Sequence, residues 1–314
     1  MRVGIDIGGT KTAAVVIDDR GDVRGNVLSP TGYGEDEVVA TALAAVVELA
    51  SISRVAPAQF ESIGIGIPGI VDASTGRISH AVNLGLHGLD LGGRVSAALG
   101  VEVFVENDVN ATALAAFHLV GTGATRSMAF LNLGTGLAAG LILNGELWRG
   151  SRGTAGEIGH IPIDPKGPLC PCGQRGCLEM VASGSAVARL WPTDHPRPVQ
   201  ALFEAAEAGN ETAISLRAQL AENIASAVRM LVLTIDLEIV VIGGGLSSMG
   251  TPLLDAMQLV FARWADTSPF LESLEFKSRV FLLPENFPAA AVGAALIGAA
   301  GQRAHHHSPI SSTH

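Results

Sequence analysis

Aromatic side chains are scarce, at 4% of a 314-residue chain with a single tyrosine. The core must therefore be built from Ala, Val, Ile and Leu rather than from stacked rings. Positive charge is in deficit too: 20 Lys and Arg face 30 Asp and Glu, for a formal net charge of -10. That balance argues against the basic stripe that a nucleic-acid or anionic-membrane surface requires. No apolar run is long enough to cross a bilayer without polar interruption. The chain enters MRVGIDIGG directly, with no separate apolar h-region and cleavage site. These absences lead us to expect a cytoplasmic protein with neither a membrane nor a nucleic-acid partner. Cysteine is nearly missing as well. Three thiols do not make a disulfide framework, and in a reducing compartment they read better as metal ligands. The tail from His305 to His314 is polar and is expected to fray, its three-histidine run included.

What is present is concentrated. All three cysteines fall in the stretch Gly156 to Glu179, GEIGHIPIDPKGPLCPCGQRGCLE. Cys170, Cys172 and Cys177, joined by His160 upstream, make a four-coordinate sulfur and imidazole set suited to Zn²⁺. Sulfur and nitrogen donors argue against Mg²⁺ or Ca²⁺, which prefer oxygen. Gly167, Pro168, Pro171, Gly173 and Gly176 supply the turns that bring such thiols onto one centre. A closed set leaves no position for a reacting water, so the metal is expected to be structural, with the chemistry beside it. Glu157 and Glu179 bracket the set.

The length predicts two lobes, and 48% hydrophobic residues can fill both. VGIDI, TAAVVI and Val23 to Leu28 predict an antiparallel meander whose first turn is Gly8-Gly9-Thr10-Lys11. Such a tip gathers backbone N–H groups and a hydroxyl, which suits a phosphate. Asp6 interrupts the strand just before it, where a carboxylate can hold Mg²⁺ or position phosphate through water. The strand–turn–strand order excludes a P-loop or a dinucleotide fingerprint. A helix is predicted over Asp36 to Ser51, a buried strand over Ser62 to Ile67, a loop or small hairpin over Asp72 to Asn83 and a helix over Leu91 to Leu99. VEVFVE, Val101 to Glu106, is a strand, and a helix follows from Val109 to about Val120. Asp108 stands where that strand gives way to the helix, so it is either a helix N-cap or a general base aimed into a cleft.

LNLGTGLAAGLILNGE repeats the plan of GIDIGGTKTAAVVIDDRG: apolar strand, Gly/Thr turn, Ala-rich strand, polar turn. The echo suggests a duplicated fold, with Gly134-Thr135-Gly136 as a second phosphate turn. Further on, Met180 to Trp191 begins a helical region, and helices are predicted over Val199 to Ala208, Glu211 to about Thr234, Thr251 to Ala265 and Ala289 to Ala300. Strands are predicted over Leu237 to Ile242 and Arg279 to Leu283. Gly243-Gly244-Gly245 follows the first of these and leaves room for a ring or ribose against backbone.

GIDIGGTKT, GIPGIVD, VENDVNA, LNLGTG, GEIGHI, CPCGQRGCLE and VIGGGLS together resemble the ROK family of sugar kinases and repressors across nearly the whole chain. The resemblance implies an α/β, actin-like and hexokinase-like (ribonuclease H-like) duplicated fold, with two lobes around a central cleft. The lobes would be 1–118 plus 290–314, and 119–289 with the zinc-binding loop. It implies ATP with Mg²⁺, held by Asp6, Gly8, Gly9, Thr10, Lys11, Gly134, Thr135 and Gly136, with Gly243, Gly244 and Gly245 near the adenosine, and a structural Zn²⁺ on His160, Cys170, Cys172 and Cys177. Asp108 would be the general base on a hexose hydroxyl. Asn107, Glu157, His160 and Glu179 would hold other hydroxyls, with Gly69 and Asn83 at the sugar wall. His160 would serve zinc with one ring nitrogen and sugar with the other. A homodimer or homotetramer is implied, and no helix-turn-helix segment precedes the kinase motifs. One departure stands out. Where the family often has further glycines after the second turn, this chain has Leu137-Ala138-Ala139-Gly140, and two added methyl groups there would narrow the phosphate site. The expected activity is phosphorylation of the 6-hydroxyl of glucose. An N-acetylglucosamine or N-acetylmannosamine kinase, or a non-catalytic sugar sensor, is the alternative.

Overall fold

The computed structural model describes residues 1–121 and 123–305. The chain forms two compact units: Met1–Gly121 with Ser151–Gly153 and the chain from Pro288 on, and Thr122–Gly150 with Thr154–Phe287. In the first lie β1 (Arg2–Ile7), β2 (Lys11–Ile17), β3 (Val23–Pro30), α1 (Glu35–Ser53), β4 (Ile63–Ile67), β5 (Ile70–Asp72), β6 (Arg77–His80), β7 (Leu89–Asp90), α2 (Leu91–Leu99), β8 (Val103–Asn107) and α3 (Asp108–Val120). The second carries β9 (Met128–Leu133), β10 (Leu137–Leu143), β11 (Glu146–Trp148), α4 (Glu179–Ala182), α5 (Gly184–Leu190), α6 (Pro198–Glu207), α7 (Glu211–Ile235), β12 (Ile239–Gly243), α8 (Thr251–Thr267), α9 (Pro269–Glu272), α10 (Phe276–Arg279) and β13 (Val280–Leu282). The chain then returns to the first unit through α11 (Ala289–His305). The tail from residue 306 on lies outside the described residues.

The two main sheets are copies of one plan. Their orders are β3-β2-β1-β4-β8 and β11-β10-β9-β12-β13. In each, three consecutive strands form an antiparallel meander, and two further strands add in parallel to its first strand. This is the duplicated ribonuclease H-like arrangement. The echo between the two Gly/Thr hairpins is thus the trace of two equivalent β-meanders. Of the loop or small hairpin expected over Asp72 to Asn83, the structure has the hairpin: β5 pairs with β6, and β7 extends them to a third, three-stranded sheet.

Aliphatic residues fill both cores, as the shortage of rings demands. Ile5, Ile7, Ile63, Ile65, Ile67 and Leu49 are fully buried in the first unit. In the second, α7 buries Leu220, Ile224, Val228 and Leu231 against strand residues such as Leu131 and Ile242. Helix α11 lies unusually close on β1 and β4. A Cβ on Gly4 would run into the Ala291 carbonyl oxygen, and one on Gly64 into that of Ala294. Glycine is required because backbone meets backbone there, and the Ala-rich helix is what permits the approach.

Gly64→Ala should therefore force α11 off the sheet. The expected cost is on the order of 1–3 kcal/mol or more, read as a lowered midpoint of thermal unfolding. An unchanged midpoint would show that the helix can move aside without loss.

Candidate functional site

In the first unit the site assembles at the C-terminal ends of β1, β4 and β8, the end where open α/β sheets bind ligands. The register sets Asp6 beside Gly66, and Gly66 beside Glu106. Asn107 closes β8 with extended backbone and caps α3: its Oδ1 accepts from the N–H groups of Val109 and Asn110. Asp108 is the first helical residue, not the cap, and its Oδ1 accepts from the Val109 N–H at 3.0 Å. Asn107 Nδ2 donates to the Gly69 carbonyl at 3.2 Å. With both lone pairs of its oxygen engaged, Asn107 can meet a ligand only through its second Nδ2 proton.

Sequence reasoning missed Glu106. It is 2% exposed, and its Oε1 accepts from the Asn107 N–H and from Asn110 Nδ2, both at 3.0 Å. It fixes the turn that aims Asp108. The only signal was a carboxylate ending an otherwise apolar strand.

Asp6 and Asp108 form a like-charged pair. Burial first, then the charge of Asp108, pushes the Asp6 carboxyl up to about 7. Two carboxylates so placed suit a shared proton or a divalent cation. Beside them, the Gly8 N–H is spent on the Lys11 carbonyl, closing the turn at 3.0 Å, while Gly9, Thr10 and Lys11 stay exposed. Asn83 is exposed on a short 3₁₀ turn, and a Cβ on Gly9 would stand 3.6 Å from that of Asn83. Asp6, Gly9, Asn83, Gly69, Asn107 and Asp108 thus share one region of this unit.

In the second unit the Gly134-Thr135-Gly136 turn joins β9 to β10, with Thr135 exposed at its tip. Three contacts hold it. Gly184 N–H donates to the Gly134 carbonyl at 2.8 Å, and Ser185 N–H to that of Thr135 at 3.3 Å. The Leu137 N–H donates to Glu179 Oε2 at 3.0 Å. Glu179, expected at a sugar hydroxyl, thus commits one oxygen to the Gly134-Thr135-Gly136 turn. The start of α5 was missed as a partner of this turn, although Ser183, its N-cap, marks it in sequence.

Gly243-Gly244-Gly245 ends β12 next to Asn132 of β9. Gly244 has φ +85, and a Cβ there would strike Asn132 and the Leu133 backbone. A Cβ on Gly243 would strike the Phe130 ring. Only Gly245 opens onto space with nothing within 4 Å. Half of the departure at Ala138-Ala139 is taken up in the core. Ala139 is 3% exposed and packs in the core of this unit, so its methyl group does not crowd the turn.

His160, Cys170, Cys172 and Cys177 place one donor atom each within 4.8 Å of one another. His160 Nδ1 is 3.8 Å from Cys170 Sγ, and Cys172 Sγ is 3.6 Å from Cys177 Sγ. Two sulfurs on one tetrahedral Zn²⁺ at about 2.3 Å stand about 3.75 Å apart, so the donors fit that ion. With Nδ1 on the thiols, Nε2 is left for a ligand. The Gln174 backbone N–H and its side chain draw the Cys172 thiol down to about 6, which supplies a thiolate near neutral pH. Burial, then the other two thiols, pushes Cys177 up to about 12. Gln174 was also missed: its Nε2 lies 3.6 Å from Cys172 Sγ and 3.2 Å from the His160 carbonyl. Gly176, at φ +68, lies so close to the Asp164 carbonyl that no Cβ fits. Glu157 is exposed just before the His160 turn. Among the described residues no helix is long and apolar enough to cross a membrane.

Comparison with known proteins adds to this geometry. A family model described as ROK family matches residues 2–298. A glucokinase of Streptomyces coelicolor is 32% identical over 283 residues, covering 84% of this chain and 88% of its own. An N-acetylmannosamine kinase of Citrobacter koseri is 33% identical, covering 77% and 82%. The structure of a ROK family glucokinase from Streptomyces griseus in complex with glucose and AMPPNP superposes with a TM-score of 0.77. It is 30% identical and covers 94% of this chain and 98% of its own.

Two outcomes follow. Cys172→Ser should lose bound zinc to a mild chelator at least tenfold faster than the parent, followed by elemental analysis; equal retention would remove Cys172 from the ligand set. Asp6→Asn should stabilise the nucleotide-free and metal-free protein. The folded-state carboxyl, at about 7 instead of 3.8, is penalised when ionised. The penalty is absent below about pH 4, grows as pH rises to about 7, and is full above it. The gain from Asp6→Asn should follow that profile and reach on the order of 2–4 kcal/mol at pH 8. A gain independent of pH in denaturant titrations would contradict it.

Proposed function

Because the chain belongs to the ROK family and, on its kinase relatives, is a sugar kinase, we propose that it transfers the γ-phosphoryl group of ATP to the 6-hydroxyl of a hexose, glucose foremost. The observation that supports this most is the passing of the α3 cap to Asn107, which relieves Asp108 of that duty. In this reading Asp108 takes the proton of the attacking hydroxyl as the phosphoryl group arrives. The rest is alignment and neutralisation of charge, as in other phosphoryl transfers. Asp6 would hold Mg²⁺, which screens phosphate charge when bound. The Gly9-Thr10-Lys11 and Gly134-Thr135-Gly136 turns would cradle phosphates with N–H groups, and the open side of Gly245 would admit the adenosine.

Asn83, Asn107, Glu157, His160 and the remaining oxygen of Glu179 would read sugar hydroxyls, with Gly69 in the wall. Polar readers of this kind reject analogues that lack the matching hydroxyl. Zinc would order the loop presenting Glu157, His160 and Glu179. The low-lying Cys172 thiol and the metal set suit a reducing cytoplasm. N-acetylmannosamine as acceptor is the second reading, favoured by the 33% identity to a kinase of that sugar.

The test is ADP release with Mg-ATP and a panel of glucose, mannose, N-acetylglucosamine, N-acetylmannosamine and fructose. Turnover on glucose is expected, falling by about 10²–10⁴ in Asp108→Asn while sugar binding persists. Turnover on an N-acetylated sugar alone moves the assignment to the second reading. No turnover on any sugar, with sugar still bound, replaces the kinase by a sensor.

A further inference from the structure

His80 and His87 take no part in the functions above, yet their Nδ1 atoms stand 3.1 Å apart. The two rings are 4.8 Å between centroids and tilted by 52°. Their juxtaposition follows from the backbone. Ala81 and Leu86 form an antiparallel bridge and exchange both hydrogen bonds, at 3.1 and 3.2 Å. The flanking position, where His80 faces His87, is therefore the non-hydrogen-bonded one, in which side chains come closest. Alternation does the rest: Ala81 and Leu86 are buried, and His80 and His87 are both exposed on the other face.

Two nitrogens bound to one transition metal at about 2.0–2.1 Å stand about 2.9 Å apart at a right angle and about 3.4 Å apart at the tetrahedral angle. The observed 3.1 Å falls between. As hydrogen-bonded neighbours, one ring must carry its proton on Nδ1. Moving that proton to Nε2 leaves both rings neutral and turns both Nδ1 lone pairs to one point. Arg77, on the same strand as His80, donates to the Gly88 carbonyl at 2.9 Å and sits between Asp72 and Asp90 in the sheet register, which offsets its charge.

We propose that His80 and His87 form a second, exposed site for an imidazole-preferring divalent metal of the Zn²⁺ and Ni²⁺ class, with water completing the shell, and that the metal staples the turn carrying Asn83. The turn between them, Val82–Leu84 with Gly85 at φ +68, buries Leu84 in the core of this unit and takes the Gly34 N–H on the Leu84 carbonyl, while Val82 and Asn83 stay exposed. A metal across its base closes a loop of few residues and so removes its opening motions. The strand leaving the site also lies against Gly69: a Cβ there would strike the His80 carbonyl oxygen, and Gly69 in turn accepts from Asn107. Metal binding itself is independent of the kinase reading, while any effect on sugar affinity rests on it.

The experiment uses the full-length protein with zinc loaded on its cysteines. Ni²⁺ is titrated calorimetrically into the parent, into His80→Gln/His87→Gln and into a chain with His305, His306 and His307 changed to Ser. Amide hydrogen exchange of residues 81–86 is followed with and without Ni²⁺. The parent should bind one equivalent more than the His80→Gln/His87→Gln chain, the tail variant should keep that equivalent, and Ni²⁺ should slow exchange across 81–86 about tenfold in the parent alone. Circular dichroism and the single variant His87→Gln guard against a misfolded double variant. Equal stoichiometry in parent and double variant, or loss of all uptake with the tail histidines, overturns the site. Uptake without slowed exchange overturns the staple.

Discussion

The N-terminus of α3 presents N–H groups that must find acceptors, and this requirement governs the residues where β8 gives way to α3. Asn107 meets it with both lone pairs of Oδ1. Glu106, buried behind it, takes the Asn107 N–H and fixes Asn110. A carboxylate at the first helical position then gains from the helix dipole without carrying the cap. Burial, and then the charge of Asp108, lifts the Asp6 carboxyl to about 7. Capping, burial and charge are thus one arrangement in this unit. Its cost is a strained pair of carboxylates, which a divalent cation would relieve.

The second unit solves a different problem, that of holding irregular loops without regular hydrogen bonding. Its Gly134-Thr135-Gly136 turn is held by the N–H groups of Gly184 and Ser185 and by the Glu179 carboxylate. Glu179 opens α4 immediately after the knuckle that ends at Cys177. The donor set at that knuckle is therefore tied to the Gly134-Thr135-Gly136 turn through two residues of backbone and one hydrogen bond. This links the cysteine and Gly/Thr motifs within one unit, which their closeness in sequence does not reveal.

Much of the fold was legible because its signals are local and repeated. Apolar strands ending in Gly/Thr turns mark both meanders, and the helices from α6 to α8 stop within a few residues of their predicted ends. Three features were legible only in part, each for a physical reason. Strands β5 to β7 are two to four residues long, too short for a period of two to tell a small hairpin from a loop. The helical region expected over Met180 to Trp191 is divided at Ser183, because that hydroxyl caps a new helix. The strand predicted from Leu237 starts only at Ile239, because Glu238 turns its carboxylate to the N–H groups of Arg126 and Ser127.

The candidate site divides in the same way. Residues with unusual chemistry in clear spacing, such as Cys170, Cys172, Cys177 and His160, could be read from the chain. Asp108 could be read only as one of two things, since Asn and Asp are equally good caps and stand side by side. Only the extended backbone of Asn107, φ -61 and ψ 141, assigns the cap. Glu106, Gln174 and Asn132 look like ordinary polar residues in sequence, because their partners arrive through tertiary closure. The exposed His80 and His87 belong with them. Seven positions apart, they meet only because Ala81 and Leu86 pair, and that pairing is fixed by the need to bury two apolar side chains on the opposite face.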